Sequence, residues 1–374
     1  MAVVHPHGAH NTSERQFHAD DARSRWCMVR PVSNPPNPWH SSHVEWIDAP
    51  PPDAELQVYE EEAKSILSRN DSPDVPYRWS VNPYRGCFHA CAYCYARPSH
   101  QYLDFGAGTD FDRKLIVKTN AAALLREAFD KPSWRGERVV FSGNTDCYQP
   151  LEATWGITRA CLEICADYGN PVSIITKSAI VRRDIDILAR MAEKNLVFVF
   201  VSLGFTDPVM ARGVEPSVPS PRMRIETMRA LADAGIPVGV AVTPIIPGLN
   251  DSQLVGVLEQ AHAAGARRAF RTMLRLPGPV AGIFEERMRE QFPNRADRIM
   301  NGIREVRGGE LNRSAFGERM KGHGIRWQAI SQLFELTARR LGMVAREQAD
   351  NGTEDDPYAP ASTFRRPGGQ QSLF

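Results

Sequence analysis

Short runs of β-branched and apolar residues recur along the middle of the chain, at 139–142, 172–176, 197–203, 238–244 and 270–276. Their lengths are those of buried strands. Between and before them, apolar residues return every three to four positions at 121–129, 157–168, 185–194, 224–234 and 254–264, which predicts amphipathic helices. Two of these patterns end in Ala-Gly and pass at once into a strand pattern, in AGIPVGVAV and AGARRAF. Gly235 and Gly265 are therefore expected in the left-handed conformation that closes a helix. With a further strand at 78–82, the alternation amounts to about six βα units. The expected fold is α/β: a partial (βα)6, TIM-like barrel of parallel strands, with its chemistry on the loops at the carboxyl ends of the strands.

The regions outside that alternation read differently. Residues 1–76 contain PPNPWH and DAPPPDAE and show no sustained period, so a mostly irregular N-terminal arm is expected, with one helix near 60–68. The barrel is assigned to 77–278 and a C-terminal helical extension to 279–343, with helices at 281–292, 296–307 and 325–341 and a Gly-rich loop holding Ser314, Phe316, Arg319 and Met320. Residues 344–374, with NGTEDDPYAPAS, are expected to be a disordered tail.

Composition changes this picture little. Hydrophobic residues at 42% and charged residues at 24% suit a water-soluble fold. No apolar run approaches the ~20 residues of a membrane span. The first twenty residues lack a basic start followed by an apolar stretch, so a cytoplasmic location is expected. The formal net charge of +1 gives no support to a nucleic-acid binder that works by overall basicity.

Cysteine usage does change it. Three of the seven cysteines, Cys87, Cys91 and Cys94, fall in NPYRGCFHACAYCYARPSH, directly after the first predicted barrel strand. Positions i, i+4 and i+7 also describe one face of a helix. Yet Pro83, Gly86 and Pro98 bracket the run, and no apolar stripe fills its gaps. In a straight helix Cys87 and Cys94 would stand about 10.5 Å apart along the axis, too far to close on one small centre. A loop wrapped around a metal group accounts for the spacing better. Zinc would need a fourth ligand, for which His89 and His100 are available. An iron–sulfur cluster held by only three thiolates would keep one iron open.

The pattern Cys87-Phe-His-Ala-Cys91-Ala-Tyr-Cys94 resembles the signature of the radical S-adenosylmethionine (SAM) superfamily. The longer NPYRGC-x3-C-x-YCYAR resembles its branch of spore-photoproduct-lyase-like, "DNA repair photolyase"-type proteins, the likeness running from about Arg78 to Met343. The resemblance implies a [4Fe–4S] cluster on the three cysteines with SAM on the open iron. It implies reductive cleavage to a 5′-deoxyadenosyl radical, an electron donor such as flavodoxin or ferredoxin, and a substrate that is either DNA carrying a lesion or a small molecule. A non-catalytic zinc or iron–sulfur protein is the alternative.

Further positions match the branch. In VVFSGNTDCYQP these are Ser142, Gly143, Thr145 and Asp146, for the cofactor's amino group; in IITKS they are Thr176 and Lys177, for cofactor or substrate. Ser202 at the end of its strand is a candidate for the ribose, and Arg224 in EPSVPSPRMR for the carboxylate, where a guanidinium offers two parallel hydrogen bonds. Thr243 and Ile246, with Pro244, lie in a stretch expected against the adenine, and Tyr93 is expected to stack there. Cys147 stands where the branch has proline. It is either a hydrogen-atom donor at the barrel mouth or an incidental replacement. Cys161 and Cys165, four apart on a helix, are expected in the core; Cys27 lies in the arm, away from the others.

Overall fold

The five apolar runs and the strand expected near residue 80 form one parallel sheet, in chain order, in a computed structural model that describes residues 29–32, 56–347 and 363–367. The described strands are β1 (Val29–Val32), β2 (Gln57–Glu61), β3 (Leu67–Arg69), β4 (Trp79–Val81), β5 (Tyr84–Arg85), β6 (Lys114–Lys118), β7 (Val139–Phe141), β8 (Val172–Thr176), β9 (Val197–Ser202), β10 (Val238–Ile245), β11 (Arg268–Met273) and β12 (Val344–Glu347). The large sheet has the order β12-β11-β10-β9-β8-β7-β4-β3. From β4 to β12 every neighbouring pair is parallel, and β3 is antiparallel to β4.

The expected helices occur at Ala121–Asp130, Ile157–Asp167, Ile185–Ala192, Pro221–Asp233 and Leu254–Ala263, each packing an apolar stripe on the sheet. Cys161 and Cys165 are fully buried on such a stripe. Gly235 and Gly265 have φ of +74° and +98°, the helix-closing geometry read from Ala-Gly. The helical extension forms at Val280–Gln291, Ala296–Val306 and Gly324–Arg340.

Three expectations at the edges need correction. The segment near residue 60 is not a helix. Val58 and Glu61 are buried while Gln57 is exposed, and β2 pairs in parallel with β6, a partner more than fifty residues away that no local pattern announces. Residues 56–76 are thus not an irregular arm, since they supply β2 to a second, four-stranded sheet (β1-β2-β6-β5) and β3 to the large one. The segment after the extension is not tail at its start: β12 adds a seventh parallel strand beside β11. A short piece, 363–367, also packs on the first helices, with Arg366 donating to the carbonyls of Phe129, Asp130, Lys131 and Trp134 at the end of Ala121–Asp130. Cys27, the Pro-rich arm and the remainder of the tail fall outside the described residues. Among the described residues no helix is long and apolar enough to cross a membrane.

Gly265 measures how closely neighbouring helices are fitted, because a Cβ built at this end of Leu254–Ala263 would lie 2.4 Å from Ala232 Cβ on Pro221–Asp233. Gly265→Ala is expected to cost about 1–3 kcal/mol, the left-handed penalty plus the clash, as a lower urea midpoint with an unchanged slope.

Candidate functional site

The chain leaves β4 at Val81 and makes its first turn at Gly86, with φ of +72°. A Cβ at Gly86 would come within 2.9 Å of His100 Cε1 and the Phe111 carbonyl, so only glycine lets the chain pass this close. The cysteine loop beyond is a series of tight turns. The Ala90 amide donates to Cys87 O (3.2 Å), Cys94 N to Cys91 O (3.1 Å) and Arg97 N to Cys94 O (3.3 Å), with Ala90 at φ +55°. This excludes the straight-helix reading. Two further bonds hang the loop from its surroundings: Cys87 N to Phe111 O (2.9 Å) and Ala92 N to Val214 O (2.9 Å).

Arg97 holds the loop from below. It is buried, and its Nε and Nη2 both donate to the Cys91 carbonyl, at 3.2 and 3.0 Å. Its Nη1 meets the Ala107 and Gly108 carbonyls (3.1 and 2.9 Å), and Asp112 neutralises it at 2.9 Å. Burial raises the Asp112 carboxyl to about 6 against the pull of Arg97.

Cys87 and Cys91 are buried and Cys94 half-buried. Burial pushes all three thiols up, Cys91 to about 12, and for Cys87 the neighbouring Asp146 and the other two sulfurs push the same way. Among the described residues no three His, Cys, Asp or Glu side chains gather as they would around one ion. His100 Nε2 lies 2.8 Å from Lys114 O, its ring set against Phe105 and Phe111, and His89 Nδ1 lies 3.4 Å from Asp146.

Asp146, on the turn after β7, ties three elements together. Its Oδ1 accepts from Thr176 Oγ1 (2.7 Å) and Tyr148 N (3.0 Å), and its Oδ2 from Lys177 N (2.8 Å), while His89 reaches it from the cysteine loop. Burial works against this carboxylate, yet His89, the Lys177 amide and Thr176 together bring it down to about 2. Lys177 leaves this knot with its ammonium 5.8 Å from the Tyr93 ring, facing Cys91 and Glu215. Ser142, at φ +72°, accepts from Cys147 N (2.9 Å), the Gly143 carbonyl accepts from Tyr95 Oη (2.7 Å), and Thr145 Oγ1 donates to Tyr84 O (2.8 Å).

The structure places other expected residues differently. Arg224 is buried and its fork is fully engaged: Nη2 on Glu215 (2.5 Å), Nη1 on Ser202 O (3.0 Å) and Nε on Pro219 O (2.9 Å). The other oxygen of Glu215 accepts from Tyr93 Oη, so Arg224 acts on the cysteine loop through Glu215 and Tyr93. Cys147 lies on the turn after β7. It is completely buried beside Tyr84 and Glu152, and burial raises its thiol far above the ordinary range. Ser202 is buried at the end of its strand. Ile246 is likewise enclosed, its amide bonded to Asn250 Oδ1 (2.7 Å), while Thr243 is half-buried.

Sequence reasoning passed over Arg97 and Glu215 as structural anchors. Arg97 is marked locally only by lying three positions after Cys94, a signal that surface charges also give, and Glu215 only by its place with Arg224 in EPSVPSPRMR, which does not reveal that the two pair with each other. It also passed over Tyr95, which stays 46% exposed directly after Cys94.

Comparison with known proteins agrees with the site. The family model of the Radical SAM superfamily matches residues 81–261. An uncharacterized protein of Mycobacterium tuberculosis is 42% identical over 232 residues, which are 61% of this chain and 68% of the relative. A radical SAM Nalpha-GlyT isomerase of Pseudomonas phage M6 is 23% identical over 266 residues, 70% of this chain and 52% of the relative. Among solved structures, spore photoproduct lyase complexed with dinucleoside spore photoproduct superposes with a TM-score of 0.57 at 13% identity, covering 78% of this chain and 81% of the other. That likeness is one of fold. With a turn-built three-cysteine loop at the carboxyl end of the first parallel strand, this chain belongs to the radical SAM superfamily, whose enzymes use a [4Fe–4S] cluster and S-adenosylmethionine.

Proposed function

We propose that Cys87, Cys91 and Cys94 hold a [4Fe–4S] cluster and that the enzyme uses it to generate a 5′-deoxyadenosyl radical against a substrate in the barrel mouth. The observation that carries this is the loop itself. Tight turns carry its three cysteines within eight positions, Arg97 fixes its backbone through the Cys91 carbonyl, and three thiolates would leave one iron of a cluster open. When bound, the cluster supplies the electron that breaks the sulfonium carbon–sulfur bond of SAM.

The chain's own residues then have physical tasks. Burial and mutual repulsion keep the free thiols protonated, so loading releases protons and the charge is met by iron. Asp146 fixes the turn after β7 and the Thr176–Lys177 strand end relative to the loop, which supports a role for Ser142 and Gly143 toward the cofactor's amino group and for Thr176 and Lys177 toward cofactor or substrate. Lys177 supplies positive charge beside Cys91. Arg224, already saturated, positions Tyr93 through Glu215 and does not touch the carboxylate itself. The substrate is proposed to be nucleic-acid-derived, since the fold is the one that in spore photoproduct lyase takes a dinucleoside photoproduct.

Anaerobic reconstitution with iron and sulfide tests the core of this. About four irons per chain, an electron paramagnetic resonance signal altered by SAM, and 5′-deoxyadenosine on reduction are expected, and Cys91→Ala should abolish all three with the far-UV spectrum intact. One tightly held zinc per chain, without SAM cleavage, would reverse the assignment. Arg97→Met strips two hydrogen bonds from Cys91 O and strands Asp112, so denaturant titration of the metal-free chain should register a loss of about 3–5 kcal/mol, and cluster content should fall with it. A similar loss of about 3–5 kcal/mol is expected for Glu215→Gln, which leaves Arg224 buried and unpaired; the double variant Glu215→Gln/Arg224→Met should regain part of it, whereas additive losses would show that the pair is not coupled.

A further inference from the structure

The loop 307–323 between the last two helices is strapped over the carboxyl end of β11. Arg307, fully buried, donates to the carbonyls of Leu274, Glu318, Arg319 and Lys321, and Met273 N donates to Met320 O (3.2 Å). From the other side Asp74 accepts from Gly317 N (2.7 Å) and Arg319 Nε (2.6 Å). Arg307 thus has four carbonyl acceptors for its two Nη groups, though none for its Nε, and Arg319 is paired with Asp74.

Arg275, just past β11 under the same loop, has no such acceptor. Its Nη1 lies 3.8 Å from Met320 Sδ, its Nε is enclosed without an acceptor, and no carboxylate among the described residues pairs with it. Its guanidinium carbon stands 5.4 Å from the ring of Tyr95, the residue next to Cys94, and the Arg319 charge lies alongside and repels it more than Asp74, already bonded to Arg319, attracts it. Two aromatic faces flank the spot: Tyr95, 46% exposed, and Phe316, 63% exposed, with Arg319 held 4.6 Å from the latter's ring. A guanidinium kept unpaired beside a second one is unfavourable in the free protein and becomes favourable when an anion of more than one oxygen bridges them.

Resting on the radical reading above, we infer that Arg275, with Arg319 beside it, seats a phosphate of the substrate, so that the molecule brought to the cysteine loop is a nucleoside phosphate unit whose flat base lies on the exposed rings of Tyr95 and Phe316. Paired guanidinium forks fit the tetrahedral oxygens of a phosphate, and base–aromatic stacking needs an exposed ring face of the kind both residues offer. An acidic peptide would satisfy the charges but leave the rings unused.

Isothermal titration of the full chain tests this with four probes: thymidine, thymidine 5′-monophosphate, the dinucleoside monophosphate TpT and an Asp/Glu hexapeptide. Either phosphorylated probe should bind at least about tenfold more tightly than thymidine, with the gap narrowing as salt is raised. Preference for TpT would identify a diester and preference for the mononucleotide a monoester. Arg275→Gln should erase the gap, and Arg275→Lys, which keeps the charge without the fork, should leave part of it. Because Arg275 strands no acid when removed, the melting temperature should not fall in either variant. Equal affinity for thymidine and both phosphates in the wild type would overturn the inference. So would an undiminished gap in Arg275→Gln, or tightest binding of the hexapeptide. Visible absorbance of the same samples reports cluster content separately: phosphate discrimination without a cluster defeats only the cysteine reading, and a full cluster without discrimination defeats only this one.

Discussion

A single buried guanidinium sets the geometry on which the site depends. A loop that presents three thiols outward must turn its backbone inward, and the inward carbonyl of Cys91 would be costly to bury unmet. Arg97 meets it twice, takes two more carbonyls from 107–108, and is itself neutralised by Asp112. The loop can therefore be buried with its backbone carbonyls met, the organising contacts coming from the side of Arg97. Asp146 does the same from the barrel side, joining the turn after β7, the end of β8 and His89 of the loop. Chemistry between the two depends on charges whose partners were satisfied during folding.

Much of the frame was legible because its signals are local. Strand and helix periods, and Ala-Gly at helix ends, need only a window of about a dozen residues. The cysteine spacing, interrupted by Pro and Gly, excluded a helical stripe for reasons of rise per residue. Elements whose stability comes from distant pairing were not legible: β2 is a strand only because β6 lies next to it, and β12 only because the last helix returns the chain to β11.

Roles of polar residues at the strand ends were legible by type but not by direction. Thr176, Lys177 and Asp146 do come together, as their shared position after strands suggests. Arg224 could not be read as inward-facing, because its acid lies nine residues earlier across an intervening turn, and the fork that seemed open is filled by Glu215 and two carbonyls. Cys147 sits one position from Asp146, yet their settings differ: the carboxylate is met by Thr176, Lys177 N and His89, while the thiol is fully buried with Tyr84 and Glu152 among its neighbours.

The bonds of the covering loop also determine how it can behave. Because Arg307 and Met273 tie the loop to the end of β11 while Asp74 holds Gly317 and Arg319 from the other side, the segment 307–323 is anchored on both flanks. It is therefore a span between fixed piers, unlike a flap swinging on one hinge.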